Sequence, residues 1–229
     1  MNVAIIVAAG RGARAGAGAV KQFRELGGVP VVVHALRRFE ECASVGETCL
    51  VLPAADAAHL AGLAGQYGLR KLARVVAGGA SRTESVWRGL QTVDGATAGV
   101  VAIHDGVRPL VTPAEIDATV RAAEATGAAV LVAPVTDTIK EVGGGLIKST
   151  PARENLRRAL TPQCFRYDLL RRAYERALAA GLDATDDSAL VELLGVAVAA
   201  VEGDARNLKL TRPEDFALAE ILLRESGRG

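Results

Sequence analysis

Apolar residues fall in short runs separated by segments with helical spacing. Val3-Ala4-Ile5-Ile6-Val7 is the first run, and its β-branched content predicts a strand buried on both faces. Thr48–Leu52, Ala73–Ala77, Gly99–Ile103, Ala128–Val135 and Val196–Val201 repeat that signature. Between them, Val31–Glu41 entered through Pro30, Ala54–Gln66, the segment after Ser81, Pro113–Thr126 and Tyr167–Ala180 carry the wider period of helices. Ser81 with Glu84 three positions on has the capping-box pattern, and Thr112 is placed to cap the helix after it. Thr185-Asp186-Asp187-Ser188 reads as a further helix start, with acidic residues where the helix dipole favours them. Arg212-Pro213-Glu214-Asp215 opens a last amphipathic helix, Phe216–Leu223. Alternating strands and helices predict an α/β fold: a Rossmann-like, mostly parallel sheet with helices on both faces.

One stretch breaks the rhythm. Thr136–Thr150 holds two short polar–apolar runs around Gly143-Gly144-Gly145, which reads as a β-hairpin. A lone hairpin is barely stable in water, so this one is expected to protrude as an arm at about 136–153 and dock on something. No repeat, linker or low-complexity segment divides residues 1–229, which predicts a single domain bearing that arm.

Composition narrows the function classes. Net charge is +1, which removes bulk electrostatic attraction to nucleic acid. No apolar run reaches the ~18 residues that span a bilayer, and the N-terminus enters a strand with no basic leader. Cys42, Cys49 and Cys164 lack metal spacing and read as small buried hydrophobes in a reducing, cytoplasmic setting. Positive charge is mostly arginine, with only five lysines among 27 basic residues. A lysine inside a motif is therefore informative, since its compact charge is not mimicked by arginine's planar fork. Lys21 and Lys209 are such lysines. His59 reads as a surface helix residue.

After the first strand comes Ala8-Ala9-Gly10-Arg11-Gly12-Ala13-Arg14, a loop of little side-chain bulk with two arginines. Small residues let backbone N–H groups close on an anion. With Arg14 and Lys21 beyond it, the loop suits a triphosphate. The same glycines also fit a plain strand-to-helix turn. A Walker A loop is excluded because Gly-Lys-Ser/Thr is missing. A dinucleotide fingerprint lacks its third glycine, and Gly16, Gly18 and Gly27-Gly28 extend the loop where a helix should begin. His104-Asp105-Gly106-Val107-Arg108-Pro109 ends the fourth strand, where open α/β sheets bind ligands, so Asp105 is placed to meet a divalent cation. Asp105 can equally cap a turn and pair with Arg108, and His104 reads as structural.

AAGRGAR followed by VKQF resembles the signature of nucleotidyltransferases that activate sugar-like phosphates. GGASRTESV, HDGVRP, PVTDTIK, LTPQ, TDD and VEGDARNLKLTRPED extend the likeness from Ile5 to Glu220. Together they resemble the 2-C-methyl-D-erythritol 4-phosphate cytidylyltransferases. The resemblance implies cytidylyl transfer from CTP to that polyol phosphate, with Mg²⁺ or another divalent cation. It implies catalytic roles for Arg14, Lys21 and Lys209, with CTP held by Ala8, Ala9, Gly10, Gly12, Gly79, Ser85 and Asp105. It places the acceptor at Asp105, Arg108, Thr138, Arg153, Thr161, Thr185 and Lys209, with the metal on Asp105. It also implies a homodimer in which the arm carries Thr138 and Arg153 into the partner's site.

Departures from the pattern are small: Val20 stands where the family often has proline, and Gly106-Val107 replaces two alanines. A ribitol 5-phosphate cytidylyltransferase shares these loops. A non-catalytic nucleotide-binding subunit would be expected to lack Lys21 or Asp105, and both are present. An NAD-binding module is disfavoured by the missing glycine. The chain is also too short for the family's fused form.

Overall fold

A computed structural model of the chain describes residues 1–10, 21–56 and 64–225, with the side chain of Lys21 outside that set. The predicted helix Ala54–Gln66, with His59, lies largely outside the described residues. Its described ends are a 3₁₀ turn over Ala54–Asp56 and helical residues 64–66.

Seven strands form one sheet: β1 (Val3–Val7), β4 (Glu47–Leu52), β5 (Leu72–Ala77), β6 (Val100–Asp105), β7 (Ala128–Pro134), β10 (Arg157–Arg166) and β11 (Ala199–Glu202). Their spatial order is β11-β7-β10-β6-β1-β4-β5. Every pairing is parallel except those of β10, which runs antiparallel to both β6 and β7. The fold is therefore the expected α/β arrangement, with one reversed strand, β10, that the apolar runs do not predict. Two small hairpins flank the sheet, β2 (Glu25–Leu26) with β3 (Val29–Pro30), and β8 (Glu141–Gly143) with β9 (Leu146–Ser149). Gly27 and Gly28 turn the first of them, both at positive φ, so they do not prolong the loop after β1 as expected. Gly144 and Gly145 do the same for the second, while Gly143 belongs to its strand.

The pleat of β1 sorts the core. Ala4 and Ile6 face helices α1 (Val31–Glu41) and α3 (Pro113–Thr126) through Val32, Leu36, Phe39, Ile116 and Val120. Val3 and Ile5 face α2 (Arg82–Leu90), α4 (Tyr167–Ala179) and α5 (Asp187–Glu192) through Val86, Leu90, Leu170, Tyr174 and Val191. Burial on both faces explains why these strands read as unbroken apolar runs. A third cluster joins Leu26, Val31, Val107 and Leu210 to Phe216 and Leu223 of α6 (Pro213–Glu225), a helix that begins three residues earlier than predicted. Both expected caps form: Ser81 accepts from the Glu84 N–H, and Thr112 makes a full capping box with Glu115. All three cysteines are buried free thiols. No described helix is long and apolar enough to cross a membrane.

Candidate active site

A cleft of about 620 Å³ opens at the carboxyl ends of β1, β5 and β6. One wall begins with Ala8, Ala9 and Gly10, which continue β1: the Ala8 N–H donates to Val51 O at 2.8 Å. Opposite, Gly78 and Gly79 lead from β5 into α2. A Cβ on Gly78 would lie 2.3 Å from the Ala9 Cβ, so glycine there lets the two loops close together. The Ser85 hydroxyl accepts from the Gly79 N–H at 3.0 Å and donates to Ser81 O, which fixes the turn that lines the cleft.

Asp105 is the last residue of β6, two residues further along that strand than predicted. It is almost fully buried yet lines the cleft. Three cations surround its carboxylate. Lys209 Nζ lies 2.9 Å from Oδ2, Arg108 Nε 3.5 Å from Oδ2, and Arg82 Nε 3.6 Å from Oδ1. Burial pushes its pKa up, but Lys209, Arg82 and Arg108 outweigh burial and hold the carboxyl well below the usual range. It is a permanent anion inside a cationic cluster.

Strand β10 supports this point from below. The Thr161 hydroxyl accepts from the Asp105 N–H at 3.1 Å and lies 2.9 Å from His104 Nδ1. His104 Nε2 sits 3.1 Å from Arg108 O, a carbonyl that only accepts, so Nε2 carries the proton and Thr161 donates to Nδ1. Burial lowers the His104 pKa to about 4. The structural role expected for His104 is what this geometry provides. The hydroxyl of Thr161, expected on the acceptor, meets the Asp105 N–H and His104 here.

Arg82 is the charged cleft residue that sequence reasoning does not single out. It lines the cleft from the first turn of α2 and forms a two-pronged bond with Asp187 at 2.8 and 2.7 Å. Burial alone would lower its pKa, but Asp187 overrides that and raises it above the usual value. Asp187 is fully buried and also accepts from the Tyr174 hydroxyl. Gln163 Oε1 accepts from the N–H groups of Asp187 and Ser188 at 2.9 and 3.0 Å, and Asp186 caps α5 through the Ala189 N–H. The available signal was GGASRTESV itself, an arginine inside a cleft-lining cap motif.

The other expected site residues divide clearly. Ala8, Ala9, Gly10, Gly79, Ser85, Asp105 and Lys209 line the cleft, and Arg108 stands behind Asp105 with Nη1 donating to Asn207 O. Gly12, Arg14 and the Lys21 side chain lie outside the described residues. Thr138, Arg153 and Thr185 are exposed and do not line this cleft. Arg153 donates to Thr136 O at 2.9 Å, at the root of the arm.

A glycine-edged cleft at the strand ends, with an anionic carboxylate among cations, defines a nucleotidyltransferase-type site. The family model of 2-C-methyl-D-erythritol 4-phosphate cytidylyltransferase matches residues 2–225, and the chain belongs to that family. The enzyme of that name from Symbiobacterium thermophilum is 46% identical over 225 residues, covering 98% of this chain and 93% of the relative. The one from Syntrophotalea carbinolica is 43% identical over 229 residues, covering 99% and 98%. A crystal structure of 4-diphosphocytidyl-2C-methyl-D-erythritol synthase from Anaerococcus prevotii superposes with TM-score 0.86 at 29% identity, covering 97% of this chain and 98% of that one. The cytidylyltransferase structure from Thermus thermophilus gives a TM-score of 0.77 at 34% identity, covering 98% and 100%.

Proposed function

We infer that the chain transfers the cytidylyl group of CTP to 2-C-methyl-D-erythritol 4-phosphate, giving 4-diphosphocytidyl-2-C-methyl-D-erythritol and pyrophosphate. Family membership over residues 2–225 carries this reading, and the Asp105 cluster in the cleft agrees with it. The acceptor's phosphate oxygen, already anionic at neutral pH, attacks the α-phosphorus in line. A new P–O bond forms as the bond from the α-phosphorus to the bridging oxygen breaks, and pyrophosphate leaves with that electron pair. No base is needed, so the protein's contribution is positioning and charge neutralisation.

Arg14 and Lys21 are assigned to the α-phosphate and the leaving pyrophosphate. Ala8, Ala9, Gly10, Gly12, Gly79 and Ser85 are assigned to CTP. Lys209 and Arg108 neutralise the acceptor's phosphate beside Asp105, and Arg82 adds a third cation to that cluster. Thr161, assigned to the acceptor, also holds Asp105 in place by accepting its N–H.

Among the described residues no three His, Cys, Asp or Glu side chains gather into a metal site. Asp105 fits Mg²⁺ in the way that ion usually binds, through one carboxylate with substrate phosphates and water. Its Oδ1, 3.6 Å from Arg82 Nε, is an oxygen with lone pairs to offer such an ion. A bound Mg²⁺ would draw charge from the phosphates as the α–β bond breaks.

Residues 1–229 act as one domain, and its arm makes a homodimer. The arm exposes Val142, Leu146 and Ile147 at 63–69% of their surface, an apolar tip suited to a second copy. The partner's arm then supplies Thr138 and Arg153 to the acceptor end. Thr185, exposed just before α5, is assigned to the same end. The buried free thiols suit a reducing cytoplasm.

The test is pyrophosphate release from CTP and Mg²⁺, run with methylerythritol phosphate and, in parallel, with ribitol 5-phosphate. Turnover with the first is expected. Turnover with ribitol phosphate alone would reassign the acceptor, and none with either would overturn the reading.

A further inference from the structure

Gln22 occupies the 3₁₀ turn Lys21–Phe23, packed at the foot of α1. Its side chain is fully buried and lines the cleft. Neither its amide nitrogen nor its carbonyl oxygen has a hydrogen-bond partner among the described residues. Among the buried side chains of the described residues it alone has both ends of an amide bare, whereas Asn207 lacks a partner only at its oxygen. A buried amide without partners is unfavourable, and proteins keep such groups where something else meets them.

The two bare atoms restrict what that partner is. A phosphate oxygen only accepts, so it would satisfy the nitrogen and leave the carbonyl facing negative charge. A cation would satisfy the carbonyl alone. Hydroxyl groups both donate and accept, and a neighbouring pair of them matches both ends of a carboxamide. Two substrate groups offer such pairs, the ribose of CTP and the polyol chain of the acceptor. Placement favours the acceptor. Gln22 comes from the α1 face of the sheet, and the cleft-lining Val107 packs there against Leu26 and Val31. Lys209 adjoins Leu210 of the same cluster. The Gly79–Ser85 turn enters from the opposite, α2 face.

We propose that the Gln22 carboxamide receives hydroxyls of the polyol acceptor, and so selects a polyol phosphate over other phosphate monoesters. This rests on the activity proposed above. The probe is Gln22→Met, which keeps length and removes both polar atoms. Its melting midpoint is expected to equal or exceed the parent's, because an unpaired amide has been removed. The KM for methylerythritol phosphate is expected to rise on the order of ten- to a hundredfold, with the CTP dissociation constant from calorimetry changed less than twofold.

A lower midpoint means that the amide serves the fold, and overturns the proposal. An unchanged acceptor KM overturns it too. Weakened CTP binding with a normal acceptor KM moves the hydroxyls to the ribose and overturns the acceptor assignment. If the parent releases no pyrophosphate, the activity reading has failed, and calorimetric binding of the polyol phosphate to parent and variant reads Gln22 independently.

Discussion

Arg82 and Asp187 stand 105 residues apart in the chain and meet through two parallel hydrogen bonds of 2.8 and 2.7 Å. Tyr174 donates to the same carboxylate, and its ring stacks on Trp87 of α2 at a centroid distance of 6.4 Å. The pair fixes the guanidinium with its Nε toward Asp105. Asp187→Asn keeps the shape and removes the charge. Arg82 is then left largely buried, with Asp105 at 3.6 Å as its remaining ion-pair partner among the described residues. Breaking one side of a buried pair costs about 3–5 kcal/mol, and the lower end applies because Arg82 keeps some access to the cleft. Urea unfolding should show a loss of about 3 kcal/mol, with kcat/KM down at least tenfold. A loss under 1 kcal/mol would mean that Asp187 does not hold Arg82.

This pair also marks what the sequence could not disclose. Each member was visible locally, Arg82 inside GGASRTESV and Asp187 as an acid in a helical first turn, but nothing local links residues so far apart. Strand β10 was hidden for a different reason. Arg157–Arg166 is polar at both ends and carries Pro162, which cannot donate to a ladder. The register against β7 shifts between Ala159 and Gln163, so the proline falls in the irregularity. By contrast, the parallel strands β1, β4, β6 and β7 were legible because burial on both faces favours apolar runs. The cleft walls were legible because close backbone approach demands Gly and Ala there. A cation cluster converging on one carboxylate from α2, β6 and the loop before α6 has no local signature, so only Arg108 and Lys209 of its three cations were named.

His104 makes the stability depend on pH. Its pKa falls from 6.5 to about 4 on folding, chiefly through burial. The unfolded chain therefore binds more protons between those values, and stability falls as pH drops through that window. The slope is about 1.4 kcal/mol per pH unit, about 3 kcal/mol in all. His34 is also lowered by burial and adds to the same limb. Asp105, held below the usual carboxylate range, adds loss only at still lower pH, below 3.8. His104→Gln keeps one donor and one acceptor without titrating. Urea unfolding from pH 7 to 4 should show a flatter profile for the variant; parallel profiles would remove His104 from the account.

Lys209 is assigned to chemistry rather than to folding. Its side chain is 43% exposed, and such ion pairs add at most about 1 kcal/mol to stability. Losing a donor aimed at transition-state charge costs on the order of 10² to 10³ in rate. Lys209→Ala should therefore lower kcat/KM by that factor with little change in melting midpoint. Lys209→Arg should not rescue it, because a planar guanidinium replaces a compact ammonium beside Asp105. Full activity in the arginine variant would show that only net charge matters at that position.

Thr138 and Arg153 are exposed on the arm and absent from the cleft of their own chain. If a partner's arm completes each site, two inactive variants should restore one another. Arg153→Ala removes the donated residue, and Lys209→Ala disables the receiving cleft. In a mixed dimer one site carries both defects and the other carries neither. Random exchange of equal amounts makes half the dimers mixed, each with one intact site, so about a quarter of the parent's activity should return. Pyrophosphate release before and after mixing measures it. Leu146→Asp with Ile147→Asp should abolish the recovery and shift sedimentation from dimer to monomer, since these side chains are 69% and 65% exposed on the arm. A mixture that stays inactive while sedimenting as a dimer would place Arg153 in its own subunit's chemistry, or outside the chemistry altogether.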